Sequence, residues 1–240
     1  VVEPTGATTT SITSSYMWDQ PWGQIFGSPT PAMGSTATSP EAFYISNAGD
    51  GSIVQGVVST SPPTYTKIIT GIPVSVSSTY GVLAPAGLTY NPSSDTLYVV
   101  SSDTNSVLAF SGVSKYVANS VNVTYTPGSS SGGYYSTSMA GSFSFSGPNA
   151  SQATVIYSGS PLNYPVSAAL LYNGDLVVGN TGDNNMVEIS PSTMMAVGTK
   201  SVDSGSPGAI FGIATSGTSL STQEIYFNDD NTNMVMSLSQ

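Results

Sequence analysis

Four times along the chain an apolar strand runs into a short turn rich in Asn, Asp and Gly and out into a second apolar strand. The turns are NAGDGSIV from Asn47, SSDTNSVL from Ser101, NTGDNNMV from Asn180 and NDDNTNMV from Asn228. The strands ahead of them are AFYIS from Ala42, LYVVS from Leu97, LVVGN from Leu176 and IYFND from Ile225. Asn, Asp and Gly tolerate positive φ, and Asx side chains bond their own backbone, so each copy predicts a hairpin. A repeat of this kind dictates the whole fold, because one unit buries its faces only against the next.

Two further pieces recur with the hairpin. Small and apolar segments lie about a dozen residues upstream: AMGSTA from Ala32, PAGLTY from Pro85, VSAALLY from Val166 and IFGIAT from Ile210. Strand-like segments follow three of the hairpins: YTKIIT from Tyr65, ATVIYS from Ala153 and MAVGTK from Met195. Four strands in a unit of roughly 50 residues predict an all-β fold, a β-propeller of four-stranded antiparallel blades.

The runs PAGLTYNPSSDTLYVVSSDTNSVLAF from Pro85 and GDLVVGNTGDNNMVEISP from Gly174 resemble blades of the NHL and YVTN repeat families. NHL blades open with P-x-G and an apolar residue, and both families place an Asx turn after an apolar strand. The resemblance implies a propeller, with YVTN-like repeats pointing to surface proteins. The turns here lack the basic residue usual in NHL blades, and the chain contains no arginine.

Residues 1–240 are expected to form one domain with four clear blades, and the N-terminal region or the insertion has room for a fifth, degenerate blade. Between the second and third turns the spacing grows by about half a blade. The excess, residues 111–152, is expected to be a decorated hairpin inserted in blade two, since VNVTYT and GSFSFSG alternate as strands do. The chain ends in NMVMSLSQ, a third strand with no fourth after it, and TTTSITSSYMW near the start is a candidate to fill that place. An unclosed ring would leave a bare edge that invites self-assembly into a filament or surface lattice.

Propeller geometry sorts the acids into two groups. Glu41, Asp95, Asp175 and Glu224 precede second strands on the face carrying the insertion, while Asp50, Asp103, Asp183, Asp229 and Asp230 sit in the Asx turns on the opposite face. Acids at such positions are ordinary turn formers. The sharper reading makes the Asx turns, above all Asn228, Asp229 and Asp230, oxygen ligands for Ca²⁺, although no full calcium-loop motif is present.

Composition restricts the chemistry. Charged residues are 7% of the chain, and thirteen acids against three lysines give a net charge of −10. Such a surface repels phosphate backbones, so nucleic acid is not an expected partner. No apolar run reaches the length of a membrane span. Without His or Cys, triad catalysis, thiol chemistry and His-ligated zinc are excluded. A carboxylate-dependent glycosidase or lyase needs only two acids and stays open as an alternative.

The expected role is a non-catalytic binding or structural module, extracellular or at the cell surface after loss of a signal peptide, with a protein or glycan as partner and no required cofactor. Trp18 and Trp22 in MWDQPWGQIFG, with Tyr134 and Tyr135 in the insertion, offer rings for stacking on sugars, or pack at the propeller seam. Asn122 and Asn149 stand in glycosylation sequons. With so few ion pairs to lose, stability is expected to change little between neutral pH and pH 3.

Overall fold

The computed structural model describes residues 17–27, 42–57, 64–128 and 141–239. In chain order, β1 (Pro21–Gly27), β2 (Ala42–Asn47), β3 (Ser52–Val57) and β4 (Thr64–Thr70) form a first antiparallel sheet. A small hairpin, β5 (Ser75–Ser77) and β6 (Gly81–Leu83), leads into the second sheet. That sheet begins with β7 (Pro85–Asn91), β8 (Thr96–Ser101) and β9 (Ser106–Ser111). The chain then makes β10 (Val121–Thr126) and β11 (Ser142–Ser146) before β12 (Ala153–Ser158) pairs with β9 and completes the second sheet. The third sheet is β13 (Pro165–Leu170), β14 (Leu176–Asn180), β15 (Asn185–Ser190) and β16 (Met195–Ser201). The fourth has three strands, β17 (Ile213–Ser216), β18 (Glu224–Asp229) and β19 (Met234–Ser239).

The sheets pack in chain order, with β1 against β7, β7 against β13 and β13 against β17. Because the second sheet is covered on both faces, β8 is an almost unbroken apolar run rather than an alternating one. Leu97 and Val99 enter the core shared with the first sheet, beside Tyr44, Ile53 and Phe110. Tyr98 and Val100 point the other way, into the core shared with Val178 and Val187 of the third sheet. A third core joins Val177 and Met186 to Ile210 and Phe227 of the fourth.

The inserted hairpin does not extend its own sheet. β10 pairs in parallel with β4, and the first sheet thereby becomes six-stranded. Val121 and Val123 alternate inward into the core between the first two sheets, which is why VNVTYT carries a period of two.

The start of the first sheet departs from the expectation. The place beside β2 expected for AMGSTA is taken by Pro21–Gly27, whereas residues 32–37 lie outside the described residues. The reason lies in the motif: Pro21-Trp22-Gly23 repeats the Pro85-Ala86-Gly87 opening of the second sheet. Both prolines head their strands, opposite Asn47 and Ser101, and a bulge follows each. The missing ladder donor of proline costs nothing at that position. Each glycine permits close approach of the next sheet: a Cβ on Gly87 would lie 2.6 Å from the Cα of Ser167, and one on Gly23 would meet the carbonyl of Ala86.

The fourth turn is also displaced by one residue. Its paired ends are Asp229 and Met234, so Asp229 occupies the place held by Asn47, Ser101 and Asn180. The candidate closing segment TTTSITSSYMW, apart from Met17 and Trp18, lies outside the described residues, as do Glu41, Tyr134 and Tyr135. Among the described residues no strand pairs with the outer edge of β19, and Val235 there is 77% exposed.

Candidate ligand-binding site

The Asx turns have a structural task common to all four sheets. The side-chain amide of Asn47 donates to the carbonyl of Met17 at 2.7 Å, and that of Asn180 donates to Pro161 at 2.9 Å. Ser102 Oγ accepts from the amide of Ala84 at 2.9 Å, and Asn228 Oδ1 accepts from the amide of Phe211 at 3.1 Å. In each sheet a residue at the end of the second strand ties down the segment entering the first strand. Asn47 and Asn180 do this as donors, whereas Asn228 accepts and also donates to the carbonyl of Ala209 at 3.3 Å, so one side-chain type serves either polarity of corner.

The acids of the turns are occupied locally. Asp50 accepts from the amide and hydroxyl of Ser52 and from Lys67, and Asp183 accepts from the amide of Asn185 at 3.1 Å. Asp103 takes the hydroxyl of Ser75, which fastens the β5–β6 hairpin to the second sheet. Asp229 is buried and accepts from the amides of Asn231 and Thr232, while Asp230 accepts from Asn228 Nδ2 at 2.7 Å, so the adjacent carboxylates diverge. The turns of the third and fourth sheets meet at a residue the sequence did not single out: Asp203 Oδ2 accepts from Asn184 Nδ2 at 2.7 Å and from Asn231 Nδ2 at 2.6 Å. Among the described residues no group of three or more His, Cys, Asp or Glu gathers as a metal site would require.

On the opposite face Asp95 binds inward. It accepts from Tyr90 Oη at 3.0 Å and from the amide and hydroxyl of Ser114, closing the 3₁₀ turn Val113–Lys115. Burial, and then the charge of Asp95, raise the phenols of Tyr90 and Tyr116; burial also takes Tyr44 up to about 12 against the smaller effect of a Gln55 hydrogen bond. Asp175 accepts from Asn173, and Glu224 from Tyr226. Asn122, expected on this face with the insertion, stands instead at the Asx-turn end of the first sheet, because β10 runs parallel to β4 beside its last residues; there it is exposed and takes the hydroxyl of Thr70. Asn149 donates to Gln152.

The two tryptophans part company. Trp18 packs edge-on against Tyr65, with centroids 5.5 Å apart. Trp22 is 51% exposed and meets Phe211, 40% exposed, with centroids 6.5 Å apart, so the pair joins the first sheet to the approach of the fourth. Both line a cavity of about 300 Å³ with Tyr80, Leu83, Val166 and Thr181. Thr181 comes from the Asx turn of the third sheet, and the others come from the starts of first strands and from the links before them, so that all four sheets or their links contribute. The cavity therefore opens where the first strands begin, on the Asx-turn face. No charged residue lines it. Sequence reading reached Trp22 but missed Phe211, Tyr80 and Val166; the P-x-G motif at Pro21 was the available signal.

Neither a family model nor a curated protein sequence matches the chain. Among solved structures it is similar to a nidogen/laminin complex, at 12% identity and a TM-score of 0.41, covering 91% of this chain and 75% of that one. It is also similar to hydrazine synthase of Kuenenia stuttgartiensis, at 12% identity and a TM-score of 0.43; 97% of this chain spans 53% of that one. Virginiamycin B lyase of Staphylococcus aureus, in an inactive form with quinupristin, is 11% identical with a TM-score of 0.35, over 95% and 87% of the two chains. With TM-scores below 0.5, the fold described here rests on strand order and register.

Proposed function

We propose that the chain is a β-propeller of four blades serving as a non-catalytic binding module, extracellular or at the cell surface. The observation that carries this reading is the cavity at the start of the first strands: aromatic and aliphatic side chains converge there with hydroxyls of Thr and Tyr but no carboxylate or amine. Pockets that bind rather than react are mostly apolar with a few placed polar groups. A protein or glycan at the cell surface is the proposed partner. Asn122 is exposed on the outer part of the first sheet beside Thr70, and its glycosylation would fit such a location. The test is capture of glycans and surface proteins by the intact chain and by a Trp22→Ala variant. Binding lost with Trp22 supports the reading, and binding indifferent to it contradicts the site.

A structural role in an assembly is favoured by one separate observation. Met234, Val235 and Met236 are exposed on β19, and neither Lys nor Pro protects that edge. Pairing of β19 with its copy would give a two-fold dimer, detected as a doubled mass by sedimentation. A monomer at high concentration would contradict it.

A further inference from the structure

We propose that the cavity behind Trp22 binds an organic cation whose charge is spread over methyl groups, a quaternary ammonium. This deepens the binding-module reading and rests on it. The walls supply rings: Trp22, Phe211 and Tyr80 all border the cavity, and Tyr80 is backed by Tyr164 with centroids 4.4 Å apart. Aromatic faces attract cations, indole most strongly, and a methylated ammonium loses little hydration on entering such a site.

The charges around the mouth choose the sign of the ligand. Asp103 holds the hairpin that carries Tyr80, through Ser75. Asp203 holds Asn184, whose Oδ1 accepts from the amide of Gly208, a residue of the wall, at 3.1 Å. Asp183, Asp229 and Asp230 stand in the neighbouring turns. None of the chain's three lysines compensates them at the cavity. Lys67 is paired with Asp50, Lys115 lies in the 3₁₀ turn at the far end of the strands, and Lys200 lines the cleft between the third and fourth sheets with Glu188. Uncompensated carboxylates around an apolar mouth concentrate cations there, while an anion meets repulsion. Carboxylates outside the walls and rings inside them suit a cation with an apolar coat better than a strongly hydrated one such as a primary ammonium.

The experiment is a titration of the intact chain followed by tryptophan fluorescence. The probes are choline and its neutral isostere, in which a tert-butyl group replaces the trimethylammonium head. Choline is expected to bind about tenfold more tightly than the isostere, with affinity falling as salt is raised. Phe211→Ala, followed through Trp22, and Trp22→Ala, followed by calorimetry, should each weaken choline several-fold while circular dichroism stays unchanged. Equal affinities for the two probes overturn the cation reading while leaving an aromatic binding site. A choline signal indifferent to both substitutions, or no saturable signal, also overturns it. Glycan or protein capture that still depends on Trp22 would then show that the failure is confined to this inference.

Discussion

The side-chain amide of Asn180 reaches 19 residues back along the chain to the carbonyl of Pro161, 2.9 Å away, and so fastens the entry of the third sheet to the end of its own second strand. Asn47 does the same for Met17 in the first sheet. A buried donor and a backbone acceptor are satisfied together, which makes the contact costly to remove from one side.

Asn180→Ala strands the Pro161 carbonyl and is expected to lower stability by about 1–3 kcal/mol. Asn173→Ala, at an exposed turn, should change it by less than about 0.5 kcal/mol. Urea unfolding of both variants makes the comparison.

At Gly87 the next sheet lies too close for any side chain. Alanine would press on the Cα of Ser167 and the amide of Ala168, which are backbone and cannot swing aside. Overpacking of this kind costs about 1–3 kcal/mol or more. Gly174→Ala meets open space and bears only the strain of its positive φ, about 1–2 kcal/mol. The melting temperature should fall further for Gly87→Ala.

Alkaline pH should unfold the protein through its tyrosines. Burial raises the phenols of Tyr44, Tyr90, Tyr98 and Tyr116 in the folded chain, and Asp95 adds to the effect for the first, second and fourth. A folded value above the unfolded one, near 10, means that stability is intact below about pH 10 and is lost as pH rises toward the folded values. Phenolate absorbance from these four should arrive together with the loss of circular dichroism. Full ionisation while the fold persists would contradict their burial.

Acid should act weakly and late. Burial alone would raise the Asp50 carboxyl, but hydrogen bonds from Lys67 and Ser52 and the lysine charge outweigh it and hold the group below its ordinary value. The stability it contributes is present above the unfolded value of about 4 and is lost as pH falls below that. With both partners over a quarter exposed, the pair is worth no more than about 1 kcal/mol. Lys67→Met should flatten the acid limb of the stability curve; an unchanged limb would place the loss elsewhere.

The repeat made most of the sheet order legible, because corner chemistry and strand period are local. Tyr65, Ala153 and Met195 segments all take the fourth-strand places expected for them. What escaped was set by contacts between distant segments. AMGSTA looked suitable for the first strand by composition, yet Gly23 fits against Ala86 only in the three-dimensional packing. The attachment of β10 to β4 is likewise invisible, since its alternation states that one face is buried but not against which sheet. Asp229 lies one place off the register the repeat predicts, because Asn228, Asp229 and Asp230 all suit a turn corner and local chemistry does not choose among them. Trp22 stood out as a ring, whereas its partner Phe211 lies in a link with no strand pattern to distinguish it.

The chain has no cysteine, so a pair of introduced thiols reports on one distance alone. With Trp22→Cys and Phe211→Cys, a short bifunctional thiol reagent should join the first sheet to the approach of the fourth within one molecule, read by mass. Trp22→Cys with Met194→Cys, at opposite ends of the strands, should take up only separate adducts. Absence of the link between positions 22 and 211 under the same conditions would mean that the first strands share no common mouth, and the candidate site would not exist.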